Sequence, residues 1–229
     1  MHRNRLFALA IILAALLCLC SCAGPEGVTV VYATPLPNPV YEEADIALFG
    51  DENPFGNMGN TFIFKGKITR VQEINLIQTR NIGGERKQFD FWNSVCDVTV
   101  QSTLYGDAPG KKESIRVLFG QSSRRYDKSG FALVEGQEYY FISYLSASSY
   151  ADASGGIYYN IFPVSDGVVR YQGWKFEGAR VLGKKDSGAM LQHEDLCSID
   201  EESFLDQFAA MIEAAKAKAE ASATGTAGR

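Results

Sequence analysis

The chain predicts a mainly β fold, a small antiparallel five-stranded barrel with one α-helix packed against it at the C-terminal end. Three observations lead there. Between Thr61 and Pro163, five principal segments carry strand composition, most of them with apolar and polar residues alternating. Turn chemistry separates them, at Asn81-Ile82-Gly83-Gly84, Tyr105-Gly106-Asp107-Ala108-Pro109-Gly110, Glu135-Gly136-Gln137 and Ser154-Gly155-Gly156. No helix-period segment lies between them, and a run of short antiparallel strands removes its exposed edges by closing on itself.

Residues 1–21 read as a segment to be removed. Arg3 and Arg5 give a positive start, and Leu6 to Cys20 is apolar throughout. That run is roughly 15 residues, short of the roughly 20 that a membrane span needs. It ends in Leu19-Cys20-Ser21-Cys22, which resembles the lipobox of bacterial lipoprotein signal peptides. The resemblance implies cleavage before Cys22, lipidation of Cys22 and an extracytoplasmic protein held on the cell membrane by acyl chains. Two or more chains are needed for stable anchoring, since each buried methylene contributes about 0.8 kcal/mol. An uncleaved N-terminal anchor helix is the alternative. Cys18 and Cys20 fall within the removed segment.

Residues 22–40 are rich in proline and small residues, with Pro35, Pro37 and Pro39 alternating, and read as an extended tether. The competing reading is an edge strand at Gly27 to Tyr32, where Val28-Thr29-Val30-Val31-Tyr32 has strand composition. The folded domain spans 41–197. Tyr41 to Phe49 reads as a short helix leading in, followed by a turn-rich stretch from Asp51 to Asn60. The strands are Thr61–Gln72, Phe89–Thr103, Ser114–Phe119, Glu138–Leu145 and Gly156–Pro163, with a further short one at Val168–Tyr171. Gly66 inside the first suggests a bulge or a sharp bend.

From Ser198 to Glu220 the period changes to that of a helix. Ser198 and Glu201 have capping-box spacing, and Asp200, Glu201 and Glu202 sit where the helix dipole favours anions. Phe204, Leu205, Phe208, Met211, Ile212 and Ala215 form one apolar stripe, expected to pack on the sheet. Residues 221–229 are small and polar, and read as a disordered tail.

The succession FKGKITRV, VCDVTVQSTLYGD, SIRVLF and LVEGQEYYFISYL resembles the OB-fold barrels of the netrin-module and tissue-inhibitor-of-metalloproteinase-like group, which includes bacterial lipoproteins. The shared features are Gly66 within the first strand, Tyr105-Gly106 ending a long strand, and Leu133 and Gly136 before Tyr139 to Phe141. The resemblance covers residues 61 to 163 and implies an OB-like barrel. It does not extend to protease inhibition. That chemistry uses a free N-terminal cysteine amine next to the barrel, whereas Cys22 would carry lipid and stand apart from it.

Composition narrows the function classes. The chain has a net charge of -5, which disfavours nucleic acid as a partner. Of its two histidines, His2 lies in the signal, so a Ser-His-Asp arrangement or a histidine zinc site would have to be built on His193. His193 sits in a polar run before the helix and reads as a solvated loop residue. No catalytic residue, metal ligand or cofactor motif is assigned. Cys96 and Cys197 are candidates for a disulfide in an exported protein, and two buried free thiols are the alternative. Tyrosine is concentrated in the last two strands and their connection. Tyr140, Tyr144, Tyr150 and Tyr158 are the candidate binding face for a protein or glycan partner, the alternative being that they fill the core. The expected function is that of a membrane-tethered, non-catalytic binding or interaction module. A hydrolase inhibitor or a structural component of an envelope complex is the competing expectation.

Overall fold

In the computed structural model, residues 27–37, 40–42, 55, 58–107, 114–119, 122–124, 126–127, 131, 133–145, 157–182 and 196–226 are described. The fold is mainly β with one C-terminal helix. The strands are β1 (Gly27–Ala33), β2 (Tyr41–Glu42), β3 (Thr61–Ile82), β4 (Glu85–Tyr105), β5 (Ser114–Phe119), β6 (Tyr126–Asp127), β7 (Glu138–Tyr144), β8 (Ile157–Ser165), β9 (Val168–Tyr171), β10 (Arg180–Val181) and β11 (Cys197–Asp200). Helix α1 covers Glu201–Thr226, and a 3-10 turn at Met58–Asn60 leads into β3.

The chain divides into two compact units, Met1–Val31 with Asn75–Phe91, and Tyr32–Ile74 with Trp92–Arg229. In the first, the far halves of β3 and β4 make a long hairpin, and β1 pairs with β3 as the edge strand of the sheet. Gly83 and Gly84 turn the hairpin with φ of 63° and 86°. Two successive residues in the left-handed region match the twist of antiparallel strands, and glycine adopts it without a Cβ clash. The sequence placed the turn correctly but ended the first strand at Gln72 and started the second at Phe89. Strand β3 runs on through Glu73–Leu76, which is buried, and both strands then continue toward the turn through a mostly polar stretch that is exposed near the turn, where backbone pairing holds them.

Two further expectations are corrected here. Gly27–Ala33 is strand rather than tether, as its run of β-branched residues favours. Tyr41–Glu42 is a short strand paired in parallel with Tyr126–Asp127 rather than the start of a helix, and residues 43–49 lie outside the described part.

The second unit holds the core. Strand β3 pairs antiparallel with β7 from Thr61↔Tyr144 to Lys67↔Glu138, and β7 pairs antiparallel with β8. Strand β8 lies parallel to β5 at Leu118↔Ile157, β5 is antiparallel to β4, and β4 neighbours β3. Beyond β8 the sheet continues through β9, β11 and β10. The β3–β7 ladder passes Gly66 without a register shift, so no bulge stands there in that pairing. The glycine is needed for space instead: a Cβ would lie 2.4 Å from Val98 Cγ1. The irregularity falls in the β7–β8 ladder, between Ile142 and Ser143.

Strand β7 is buried on both faces from Tyr139 to Ser143. Successive side chains of a strand point to opposite faces, and the core divides accordingly. Phe62, Phe64, Tyr139, Phe141 and Ile161 join Cys96, Val98, Ile115 and Val117 in one apolar cluster. Ile63, Tyr140, Ile142 and Phe162 join Phe204, Phe208 and Ile212 of α1 in the other. The predicted helix stripe therefore packs on the sheet, with Leu205, Met211 and Ala215 partly buried at its margin. The helix starts and ends later than expected, and residues 221–226 are helix rather than tail. Ser198 belongs to β11, and the cap is Asp200, whose Oδ1 accepts from the Ser203 N–H at 2.8 Å. Trp174 and Phe176, in the segment after β9, complete the second cluster and lie within 6.5 Å of the Phe208 ring. Each such aromatic pair adds about 0.5–1.5 kcal/mol beyond its burial.

Candidate functional site

Three polar constellations stand out in the second unit. On the face covered by α1, Lys65 of β3 lies opposite Tyr140 of β7. Glu201, the first residue of α1, reaches both: Lys65 Nζ donates to Glu201 Oε1 at 2.6 Å, and Tyr140 Oη donates to the same oxygen at 2.6 Å. Glu138 stands 3.3 Å from Lys65 on the other side and accepts from Gln101 Nε2 at 2.7 Å. Burial works against the charge on Lys65, but Glu201 and Glu138 outweigh it and its pKa is raised. Burial likewise opposes the charge on Glu201, and the hydrogen bonds from Lys65 and Tyr140 hold its carboxyl below the usual range. Glu138 is lowered first by the Gln101 hydrogen bond and then by Lys65. Burial, then Glu201, pushes the Tyr140 hydroxyl up. Every group is thus fixed in its ordinary neutral-pH state, which suits a latch between the helix start and the sheet rather than a proton shuttle.

An open hollow of about 540 Å³ borders this latch, lined by Gly167, Asp200, Glu201, Glu202, Leu205 and Asp206. Its carboxylates lie in the opening turns of α1, where they interact favourably with the helix dipole. Asp200 is held below the usual carboxylate range by the Ser203 N–H.

The second constellation spans three strands. Asp97 of β4 accepts from Arg70 Nε and from Arg116 Nε, both at 2.8 Å. Burial opposes the charge on Asp97, but the two guanidinium groups lower its pKa.

The third ties down the N-terminal segment. Glu73 of β3 is fully buried. Its Oε1 accepts from the Ser123 N–H, and its Oε2 pairs with Arg124 Nη1. The Arg124 guanidinium lies over the Trp92 ring at 4.2 Å and also donates to the Thr34 carbonyl at 3.4 Å. Ser123 then holds the segment twice more. Its Oγ accepts from the Leu36 N–H at 2.6 Å, and its carbonyl accepts from the Val40 N–H at 2.7 Å. The strap, residues 34–37 with Val40, is therefore fastened to a buried ion pair while Leu36 and Val40 present apolar side chains to water. Nothing in the local sequence marked Glu73, Trp92 and Arg124 as partners, because they come from three separate segments.

The predicted site residues are not gathered together. Tyr140 is a core ring rather than part of a binding face. Tyr144 is 40 % exposed at the end of β7, and its hydroxyl accepts from Asn60 Nδ2 at 3.2 Å. Tyr158 is described in its backbone alone, paired with Phe119 and Ser143. Tyr150, Cys22 and His193 lie outside the described residues. Cys96 and Cys197 are free thiols, the alternative to the candidate disulfide. Cys96 faces the first cluster, whereas Cys197 faces the second, on the side of α1. Burial pushes the Cys96 thiol up, which makes it a poor nucleophile. Among the described residues, no three His, Cys, Asp or Glu side chains converge on a point that could hold a metal ion, and no helix is long and apolar enough to cross a membrane. Comparison with protein families, with curated proteins and with solved structures finds no match.

Proposed function

We propose that this protein is a lipid-anchored, extracytoplasmic interaction module, fixed to the cell membrane through Cys22 and carrying a non-catalytic OB-like barrel. The anchor rests on the N-terminal pattern: a basic start, a short apolar run, then Leu19-Cys20-Ser21-Cys22. The barrel reading is supported by the cycle of pairings β3–β4, β4–β5, β5–β8, β8–β7 and β7–β3, which returns to its first strand and includes the parallel β5–β8 neighbours. In this reading β9, β11 and β10 are an extension added to the last barrel strand.

The observation that carries the interaction role is the strap. Tyr32, Leu36 and Val40 are 49 %, 36 % and 47 % exposed on a segment whose backbone is pinned through Ser123 and Arg124. Apolar side chains on a backbone already ordered lose little entropy on binding, which fits a protein partner. A photo-crosslinking residue in place of Leu36, in the full chain in its own envelope, is expected to capture one discrete protein. Capture is expected to fall when Tyr32 and Val40 are both changed to Ser. A pattern unchanged by those substitutions overturns the strap as the contact. Radiolabelled palmitate is expected to enter the chain and to be lost in Cys22→Ser; no incorporation into the parent chain overturns the anchor.

A further inference from the structure

We infer that the tip of the β3–β4 hairpin is a membrane-surface contact that lies on anionic lipid headgroups. The inference rests on the anchoring at Cys22 proposed above.

Chain direction places the tip. Thr34, just after β1, and Glu73, in β3, meet at the same Arg124 nitrogen. The residues of β1 before Tyr32 group with Asn75–Phe91. Followed backwards from Thr34, β1 therefore runs alongside β3 away from Glu73 and toward the Gly83–Gly84 turn. Its first residue, Gly27, comes five residues after Cys22. Five residues reach at most about 17 Å, even fully extended. Acyl chains on Cys22 would hold the turn end of the hairpin within reach of the headgroup layer.

The residues found there suit that layer. Within Arg80–Lys87 stand three cations, Arg80, Arg86 and Lys87, against the single carboxylate of Glu85, in a chain whose net charge is -5. All eight residues are exposed. Ile82, 47 % exposed beside the turn, supplies an apolar side chain able to enter the headgroup boundary. Each cation near an anionic surface strengthens binding by about fivefold, so three together favour the seated tip by about a hundredfold before the acidic body is counted.

The test uses the full acylated chain in vesicles, with Ile82→Cys or Val181→Cys carrying an environment-sensitive dye and Cys197→Ser as background. Intact mass first establishes acylation. In phosphatidylcholine vesicles with about 30 % phosphatidylglycerol, the dye at 82 is expected to shift to the blue and to be quenched by nitroxide-bearing lipid, while the dye at 181 stays water-like. Removing the charge with Arg80→Ser, Arg86→Ser and Lys87→Ser is expected to lower the seated-to-free ratio about a hundredfold, and added salt to act in the same direction. All three positions are exposed, so the fold is expected to survive, which circular dichroism checks. An acylated chain whose dye at 82 stays water-like overturns this inference and leaves the anchor standing. A chain that is never acylated overturns the anchor, and this inference with it.

Discussion

Arg124→Ala is the substitution that interrogates the buried clamp most directly. The Glu73 side chain is 1 % exposed and would keep the Ser123 N–H, but it would lose the guanidinium that neutralises it. Stranding a buried charge in this way costs about 3–5 kcal/mol. Losing the guanidinium from the face of Trp92, 4.2 Å away, adds about 1 kcal/mol. Arg124 itself is 27 % exposed, so water already screens part of the pair and the net falls toward the lower end, about 3 kcal/mol. For a body of this size that corresponds to a Tm lower by about 10 °C. Urea unfolding would show it as a lower midpoint at an unchanged slope. The control is the double variant Glu73→Leu with Arg124→Leu. Removing both charges should restore most of the loss and leave about 1–2 kcal/mol for the unpaired Ser123 N–H. Hydrogen exchange at the Leu36 and Val40 amides should quicken in the single variant, since Ser123 holds both. A single variant costing less than about 1 kcal/mol, or a double variant no more stable than the single, would refute the reasoning.

Four further outcomes are expected. Gly66→Ala places a methyl 2.4 Å from Val98 Cγ1 and should cost about 1–3 kcal/mol by chemical denaturation, with part of the loss recovered by adding Val98→Ala. Phe208→Ala removes a fully buried ring that touches Phe55, Phe162, Trp174 and Phe204, and should cost about 3–5 kcal/mol; a smaller loss would mean that α1 is only loosely held. Burial, then the neighbouring Cys197, pushes the Tyr171 hydroxyl up to about 12 from 10.0. Between those values the unfolded chain has released a proton that the folded chain keeps, so stability should fall as pH rises through that window, and absorbance titration should show Tyr171 ionising late. Finally, Cys96 should resist a thiol reagent in the native protein and react on unfolding without reductant, whereas a mass consistent with a 96–197 disulfide would contradict the free-thiol arrangement.

The elements most legible in the sequence were those whose side chains face one packed surface. Phe204, Phe208 and Ile212 announced α1, and the alternation at Cys96, Val98 and Val100 announced β4, because burial of one face imposes a period. The far hairpin was not legible, since Asn75–Gln88 is mostly polar and its pairing is a property of the backbone. The edge strand β1 was obscured by the prolines that follow it. The tyrosines misled in a specific way. A ring with a hydroxyl reads as a contact residue, yet Tyr140 is a core ring whose polar end is satisfied by Glu201, a partner that is distant in sequence. The Glu73–Arg124–Trp92 clamp was invisible for the same reason: no local pattern records which distant residues will meet.

The parallel neighbours β5 and β8 bear on how the molecule assembles. Hairpins such as β3–β4 and β8–β9 can zip as soon as their own residues are available, but Leu118 meets Ile157 only after the intervening chain has been laid down. During synthesis from the amino end, β5 has only one side satisfied until β8 emerges. That seam therefore closes only after most of the sheet's earlier strands have been made. A nascent chain halted before Ile157 would carry an open β5 flank, vulnerable to self-association and to proteolysis.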